Sequence, residues 1–157
     1  MPHYEPWSEA RGRQVIGEFV DLEGPLMPML HAVQETFGHV PEAVVPILAE
    51  TLNISRAEVH GVVTFYHDFR HEPAGRHVLK LCRAEACQAA GGDALAEHVE
   101  ARLGCHLGET TADGRVTIEP IYCLGLCATA PSAMLDGRIV ARLNERRLDA
   151  LIAEAQS

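Results

Sequence analysis

No stretch of this sequence approaches the roughly 18 consecutive apolar residues that a membrane helix needs. The first residues, Met1-Pro2-His3-Tyr4-Glu5-Pro6-Trp7, lack the basic region and apolar segment of a secretory signal. These two absences predict a soluble, cytoplasmic protein. Basic charge is also scarce: 13 Lys and Arg stand against 22 Asp and Glu, for a net charge of −9 with histidines neutral. With no basic run, nothing can neutralise a line of phosphates, so nucleic-acid binding is excluded. The acidic balance reads as a solubility device. There is no C-x-x-C, which excludes thiol–disulfide exchange of the thioredoxin kind. Gly91-Gly92 stands alone, so no glycine loop cradles a phosphate. Internal repeats and low-complexity segments are missing as well.

What is present is ordinary globular material. The chain has 157 residues, 47% of them apolar, enough for one domain or for a small module plus a compact domain. The first half reads as helices. Ser8 can cap a short helix through Val15 and Phe19, which Gly24-Pro25 ends. Leu26, Leu30, Val33 and Phe37 share a face at helical spacing, and Gly38 sits where a left-handed cap belongs. Pro41 suits the first turn of a third helix carrying Val44, Val45, Leu48 and Leu52. Pro46 is awkward there, because it lacks an N–H, unless the helix starts later. Ser55-Arg56-Ala57-Glu58 is a capping box, followed by a stripe of Val59, Val62, Val63 and Tyr66 expected to be buried. Residues 8–69 are therefore predicted to form a small N-terminal helical bundle. The breaker-rich stretch 70–76 reads as a linker.

The pattern then changes. His77-Val78-Leu79-Lys80-Leu81 alternates like a strand. A helix is expected from Gln88 to Leu103, with Leu95, Val99 and Leu103 inward and Gly104 ending it. Arg115–Tyr122 reads as a second strand. Ala133–Asp136 and Arg138–Ala141 flank Gly137 as a hairpin would, and a last helix runs from Asn144 to Ala155 with Leu148, Leu151 and Ile152 on one side. This order predicts an α/β domain over residues 77–157 with a thioredoxin-like layout, although other small α/β folds share the same periodicity.

The chemistry lies in the cysteines. In a reducing cytosol cysteines are more often ligands or catalysts than disulfides. Four of the five form two pairs: Cys82 and Cys87 as C-x4-C, Cys123 and Cys127 as C-x3-C. Each pair follows a predicted strand, so the two meet if the strands are neighbours. Four converging thiolates repel one another unless a metal centre binds them. Zinc is one candidate, although the gap from Cys87 to Cys123 is long for a structural zinc site. A [2Fe–2S] cluster needs two cysteines on each of two irons, which two paired loops serve directly. Spacing favours iron–sulfur and leaves zinc open. Small and apolar neighbours, Leu124, Gly125, Leu126, Ala128 and Ala130, are expected to exclude water and let backbone N–H groups approach the sulfurs. Cys105 has no partner spacing and reads as a buried free thiol. His60, His67 and His71 are expected to share a helix surface and face solvent or a partner. No histidine falls within either cysteine loop, which excludes a Rieske centre.

These features together resemble a known family. Cys82–Cys87, Cys123-Leu124-Gly125-Leu126-Cys127 through Ala130-Pro131, Leu107-Gly108-Glu109-Thr110-Thr111 and Val59-His60-Gly61-Val62-Val63-Thr64-Phe65-Tyr66 are similar to motifs of the thioredoxin-like [2Fe–2S] subunits. Those subunits belong to NADH:quinone oxidoreductase, NAD-linked hydrogenases and NAD-dependent formate dehydrogenases. The likeness runs over roughly residues 25–155. Ala86 stands where the family often has proline. The stretch Cys82 through Cys87-Gln88-Ala89, with His67-Asp68-Phe69-Arg70, looks nearest the gamma subunit of molybdenum- or tungsten-containing formate dehydrogenases. The resemblance implies one [2Fe–2S] cluster on Cys82, Cys87, Cys123 and Cys127 and no substrate chemistry in this chain. It also implies two partners: a flavin- and NAD-binding iron–sulfur subunit, and a molybdenum-cofactor catalytic subunit.

Overall fold

A computed structural model describes residues 4–157; Met1, Pro2 and His3 of the N-terminal stretch lie outside the described residues. The chain divides into two compact units, one running to Pro73 and the other Ala74–Ser157.

The first unit holds four helices: α1 (Glu9–Gly17), α2 (Leu26–Phe37), α3 (Val44–Leu52) and α4 (Arg56–Phe65). Ser8 caps α1 by accepting the Arg11 N–H, and α1 stops at Gly17, leaving Phe19 beyond its end. Gly38 closes α2 at φ 80°. Helix α3 starts at Val44, not at Pro41. Pro46 therefore falls in the first turn, where an N–H would have no helical acceptor anyway, and the apparent conflict disappears. The capping box at Ser55 is formed in both directions: the Glu58 N–H donates to Ser55 Oγ at 3.1 Å and the Ser55 N–H to Glu58 Oε2 at 2.8 Å. Met29, Leu30, Val33, Val44, Leu48 and Val59 are fully enclosed in the core of this unit. Tyr66 departs from the expected stripe. Helix α4 ends at Phe65, and Tyr66 is exposed on the extended backbone that follows. For the same reason His60, His67 and His71 share no helix surface. His60 is on α4, the other two lie past its end, and all three are exposed.

The second unit is a four-stranded mixed sheet in the order β2-β1-β3-β4, formed by β1 (His77–Cys82), β2 (Val116–Ile121), β3 (Ala133–Leu135) and β4 (Arg138–Val140). Strands β1 and β2 are parallel, with Cys82 opposite Ile121. β3 runs antiparallel to β1, and β4 to β3. Asp136 and Gly137, at φ 49° and 86°, make the tight turn of the β3–β4 hairpin; positive φ at both central residues matches the right-handed strand twist. Alternate residues of β1 point opposite ways. Leu79 and Leu81 enter a core with Val116, Ile118 and Leu135, covered by α6 (Gly92–Leu103) and α7 (Glu145–Gln156). On the other face Lys80 pairs with Glu119 across the register at 3.2 Å. Asn144 caps α7 by accepting the Arg147 N–H.

The helix expected from Gln88 to Leu103 is two helices. A short α5 (Glu85–Ala89) ends at Ala90, and Gly91 at φ 93° turns the chain before α6 begins at Gly92. The left-handed backbone of Gly91 cannot continue a helix, and few other residues would adopt it. The break lets the cysteine loop carry its own turn of helix.

Candidate metal centre

The two parallel neighbours β1 and β2 end side by side, and each delivers a cysteine pair at its carboxyl end. Cys82 is the last residue of β1, and Cys87 lies in α5 three residues into that helix. Cys123 follows β2 at φ 89°, and Cys127 opens a 3-10 turn, Cys127–Thr129. The Arg83 N–H donates to the Ile121 carbonyl at 2.8 Å, which ties the start of the first loop to the end of the second strand. The Cys82 N–H donates to the Ser132 carbonyl at 3.1 Å, which ties it to the chain beyond the second loop.

The sulfurs of the second loop are brought together. Cys123 Sγ and Cys127 Sγ are 3.7 Å apart. A disulfide would need about 2.05 Å, and all five cysteines are free thiols. A tetrahedral metal with metal–sulfur bonds of about 2.3 Å separates two of its sulfurs by roughly this 3.7 Å. Burial pushes the Cys82 thiol up. Hydrogen bonds from the backbone of Ala84, from Cys87, and from the backbone of Cys123 and Leu124 outweigh it and hold this thiol below its ordinary value. Cys127 moves the other way: its hydrogen bond and charge interaction with Cys123 raise its pKa, with smaller contributions from burial and from Cys87. The Gly125 N–H reaches Cys123 Sγ at 3.4 Å, and Gly125 has φ 76°, a backbone geometry that a larger residue resists. Among the described residues no three His, Cys, Asp or Glu side chains are grouped as a site for a single ion. The sulfurs lie as pairs on two loops, a donor set that could serve two irons or one zinc. The thiol-only donor set, free of disulfides, fits a [2Fe–2S] cluster.

The two halves of the site differ in exposure. Cys82 and Cys87 are 4% and 3% exposed. Cys123, Gly125, Cys127 and Ala128 are exposed, and Leu124, Leu126 and Ala130 are only half-buried. The second loop therefore does not shut out water within this chain, contrary to expectation: five small or apolar residues on a protruding loop have no layer above them. Tyr122, beside Cys123, is 73% exposed. Cys105 is half-buried against the core of this unit, not fully enclosed, and is not part of the sulfur group. Burial, with the charges of Glu109 and Glu100, keeps its thiol above the ordinary value.

Two contacts of the site escaped the sequence reading. Ser132, 2% exposed, places Oγ 3.6 Å from Cys87 Sγ. Gly92 packs its backbone onto the first loop so closely that a Cβ there would lie 2.6 Å from the Cys87 carbonyl oxygen. The paired glycines at the start of α6 could have signalled the second. Nothing in the local sequence marks the serine, which lies 45 residues from its partner.

Fold and site together define a thioredoxin-like α/β protein that presents two cysteine pairs at the ends of adjacent parallel strands. The profile of the thioredoxin-like [2Fe-2S] ferredoxin family matches residues 13–156, and the chain belongs to that family. The cofactor of the family is a [2Fe–2S] cluster. Among curated relatives, a subunit of the NADH-quinone oxidoreductase of Pseudomonas aeruginosa is 36% identical over 82% of this chain and 80% of its own length. The NADP-reducing hydrogenase subunit HndA of Solidesulfovibrio fructosivorans is 31% identical over 90% of this chain and 82% of its own. The crystal structure of an NAD+-reducing [NiFe]-hydrogenase in the air-oxidized state superposes with a TM-score of 0.70 at 29% identity, over 83% of this chain. This chain spans only 22% of that longer hydrogenase chain.

Proposed function

We propose that this chain is an electron-transfer subunit of an NAD-linked oxidoreductase complex, holding its [2Fe–2S] cluster on Cys82, Cys87, Cys123 and Cys127. The observation that carries the reading is the convergence of two cysteine loops at the ends of the paired strands β1 and β2, with a 3.7 Å sulfur pair on one and the Arg83 N–H of the other tied to the Ile121 carbonyl at 2.8 Å. When bound, the cluster supplies reversible one-electron transfer. The chain's own residues do the rest. The buried Cys82 and Cys87 anchor one side in a dry, hydrogen-bonded frame. Cys123 and Cys127 hold the exposed side, from which electrons can pass to a partner. The Gly125 N–H and the backbone of Ala84, Cys123 and Leu124 orient sulfur and offset its negative charge.

The relatives' names, which place them in NADH-quinone oxidoreductase and in a hydrogenase, support a flavin- and NAD-binding iron–sulfur subunit as the neighbouring partner. For the parent complex we favour an NAD-dependent formate dehydrogenase, in which this chain is the gamma subunit and a molybdenum-cofactor subunit oxidises formate. That reading rests on Cys82 through Ala89, with Ala86 in place of proline, and on His67-Asp68-Phe69-Arg70. Among the described residues no helix is long and apolar enough to cross a membrane.

One preparation tests both levels. The chain, separated from its co-isolated partners, is expected to be coloured, to bleach with dithionite and to give the EPR signal of a reduced [2Fe–2S] centre. A colourless chain with one zinc would replace the redox role with that of a zinc-stabilised assembly module. Co-isolation of a molybdenum subunit and formate-dependent NAD reduction would support the formate assignment. Hydrogenase or quinone-reductase subunits in its place would overturn it.

A further inference from the structure

We propose that Ser132 is a positioning residue that raises the reduction potential of the cluster through Cys87; the inference rests on the cluster reading above. Cys87 is 3% exposed and Ser132 2%, so the contact between them is shielded from water. Ser132 Oγ lies 3.6 Å from Cys87 Sγ. With both groups protonated, either could donate. Once the sulfur is a thiolate ligand it can only accept, and the hydroxyl then has to be the donor. The serine is held for this task from its own backbone: its carbonyl accepts the Cys82 N–H at 3.1 Å. One residue thereby contacts both buried cysteines, fixing one by its main chain and polarising the other by its side chain.

The sign follows from charge. Reduction adds an electron whose density spreads onto the ligand sulfurs, so a hydrogen-bond donor stabilises the reduced state more than the oxidised one. In a dry surrounding the difference is larger than in water. Removing the donor therefore lowers the potential. The exposed sulfurs of Cys123 and Cys127 can take compensating bonds from solvent, whereas Cys87 cannot, so the loss at Cys87 is not made good.

The test compares two pairs of variants at constant shape: Ser132 with Ser132→Ala, and Ser132→Thr with Ser132→Val. Each is prepared as the full chain loaded with cluster, assayed for iron and sulfide, and titrated potentiometrically with EPR detection of the reduced state. The hydroxyl-bearing members are expected to share a midpoint. The two without it should fall by about 59 mV, which is a tenfold change in the ratio of reduced to oxidised cluster at fixed potential for one electron. Iron content and EPR line shape should stay the same. Equal midpoints within each pair would overturn the proposal. If the alanine variant does not load, the threonine–valine pair decides on its own. Absence of iron and sulfide from the wild-type chain would instead refute the cluster reading, so the two failures are distinct.

Discussion

Replacing Gly92 by alanine should loosen the hold of the first cysteine loop on the cluster it is proposed to ligate. The new Cβ would sit 2.6 Å from the Cys87 carbonyl oxygen, 3.0 Å from its carbonyl carbon and 3.7 Å from the Cys82 carbonyl oxygen, and ordinary contact begins at 3.4 Å. The start of α6 and the backbone of Cys87 must then separate by about 0.8 Å. Neither neighbour is the free end of a flexible side chain, so the main chain has to move. Metal–ligand distances tolerate deviations of only ~0.2 Å, and a shift several times larger, passed to the Cα of a ligand, takes Cys87 out of coordination range. The steric cost of crowding of this kind is typically about 1–3 kcal/mol. The gain from alanine over glycine in a helix interior is at most ~1 kcal/mol and less at a first position. Crowding wins, and melting should drop on the order of 5–20 °C for a unit of this size. The assay is iron and sulfide per chain, followed by loss of the cluster's visible absorbance on heating. Gly61→Ala is the control: it lies inside α4 with nothing within 4 Å of its Cβ, and it should be neutral or stabilising by about 0.4–1 kcal/mol. A Gly92→Ala chain that retains full iron and melts with the wild type would show that the approach of α6 to Cys87 does not govern the site.

Cys82→Ser and Cys127→Ala should each lose or destabilise the cluster, while Cys105→Ala should keep it, because the Cys105 thiol is held in its protonated form by burial and by Glu109 and Glu100; equal iron loss in the Cys105 variant would break the ligand assignment. Glu58 has its pKa lowered by the Ser55 backbone N–H and then by the Ser55 hydroxyl. Its contribution is therefore complete above the ordinary carboxyl pKa and disappears as pH falls through the lowered folded value. Acid unfolding followed by circular dichroism should show Glu58→Gln less stable than wild type near neutrality, with the gap closing toward low pH. A gap independent of pH would count against the capping box as the cause.

Most of the secondary structure was legible because it depends on local periodicity and caps. Ser8, Gly38, Ser55 and Asn144 mark helix ends by chemistry confined to a few neighbouring residues, and Leu79 and Leu81 alternate because a strand does. The placing of the cysteines was legible for a related reason: a cysteine pair on a short loop is a local fact, and two loops meet once β1 and β2 are neighbours. The misreadings arose where local signals run together or tertiary contact decides. The residues around Ala89-Ala90 are compatible with helix on either side, so the break at Gly91 is hidden until its positive φ is seen. Tyr66 continues the apolar spacing of Val59 and Val63, but the helix ends one residue too soon to bury it. The exposure of Leu124, Leu126 and their neighbours could not be read from their apolarity, because burial depends on what lies above a loop.

The uneven burial of the two loops follows from the order of the strands. β1 is interior to the sheet, flanked by β2 and β3. A residue at its end is therefore enclosed by both neighbours: Arg83 is bonded toward β2 through Ile121, and Cys82 toward β3 through Ser132. β2 is the outermost strand of the sheet; residues 108–111 bond its outer side only at Val116, Thr117 and Ile118, short of its carboxyl end, so the loop that leaves that end emerges at the surface. The same asymmetry divides the requirements of an electron carrier. A metal centre needs ligands that do not rearrange when its charge changes, and on the proposed ligand set the buried pair would supply them, since Gly92, Ser132 and the end of β1 all press on it. It also needs one side close enough to another protein for an electron to cross, and an edge-strand loop meets that need without opening the core. Moving both pairs inward would improve the frame and remove the exit. Moving both outward would leave four sulfurs to water and oxidation. An interior strand paired with an edge strand resolves the conflict within a single short sheet.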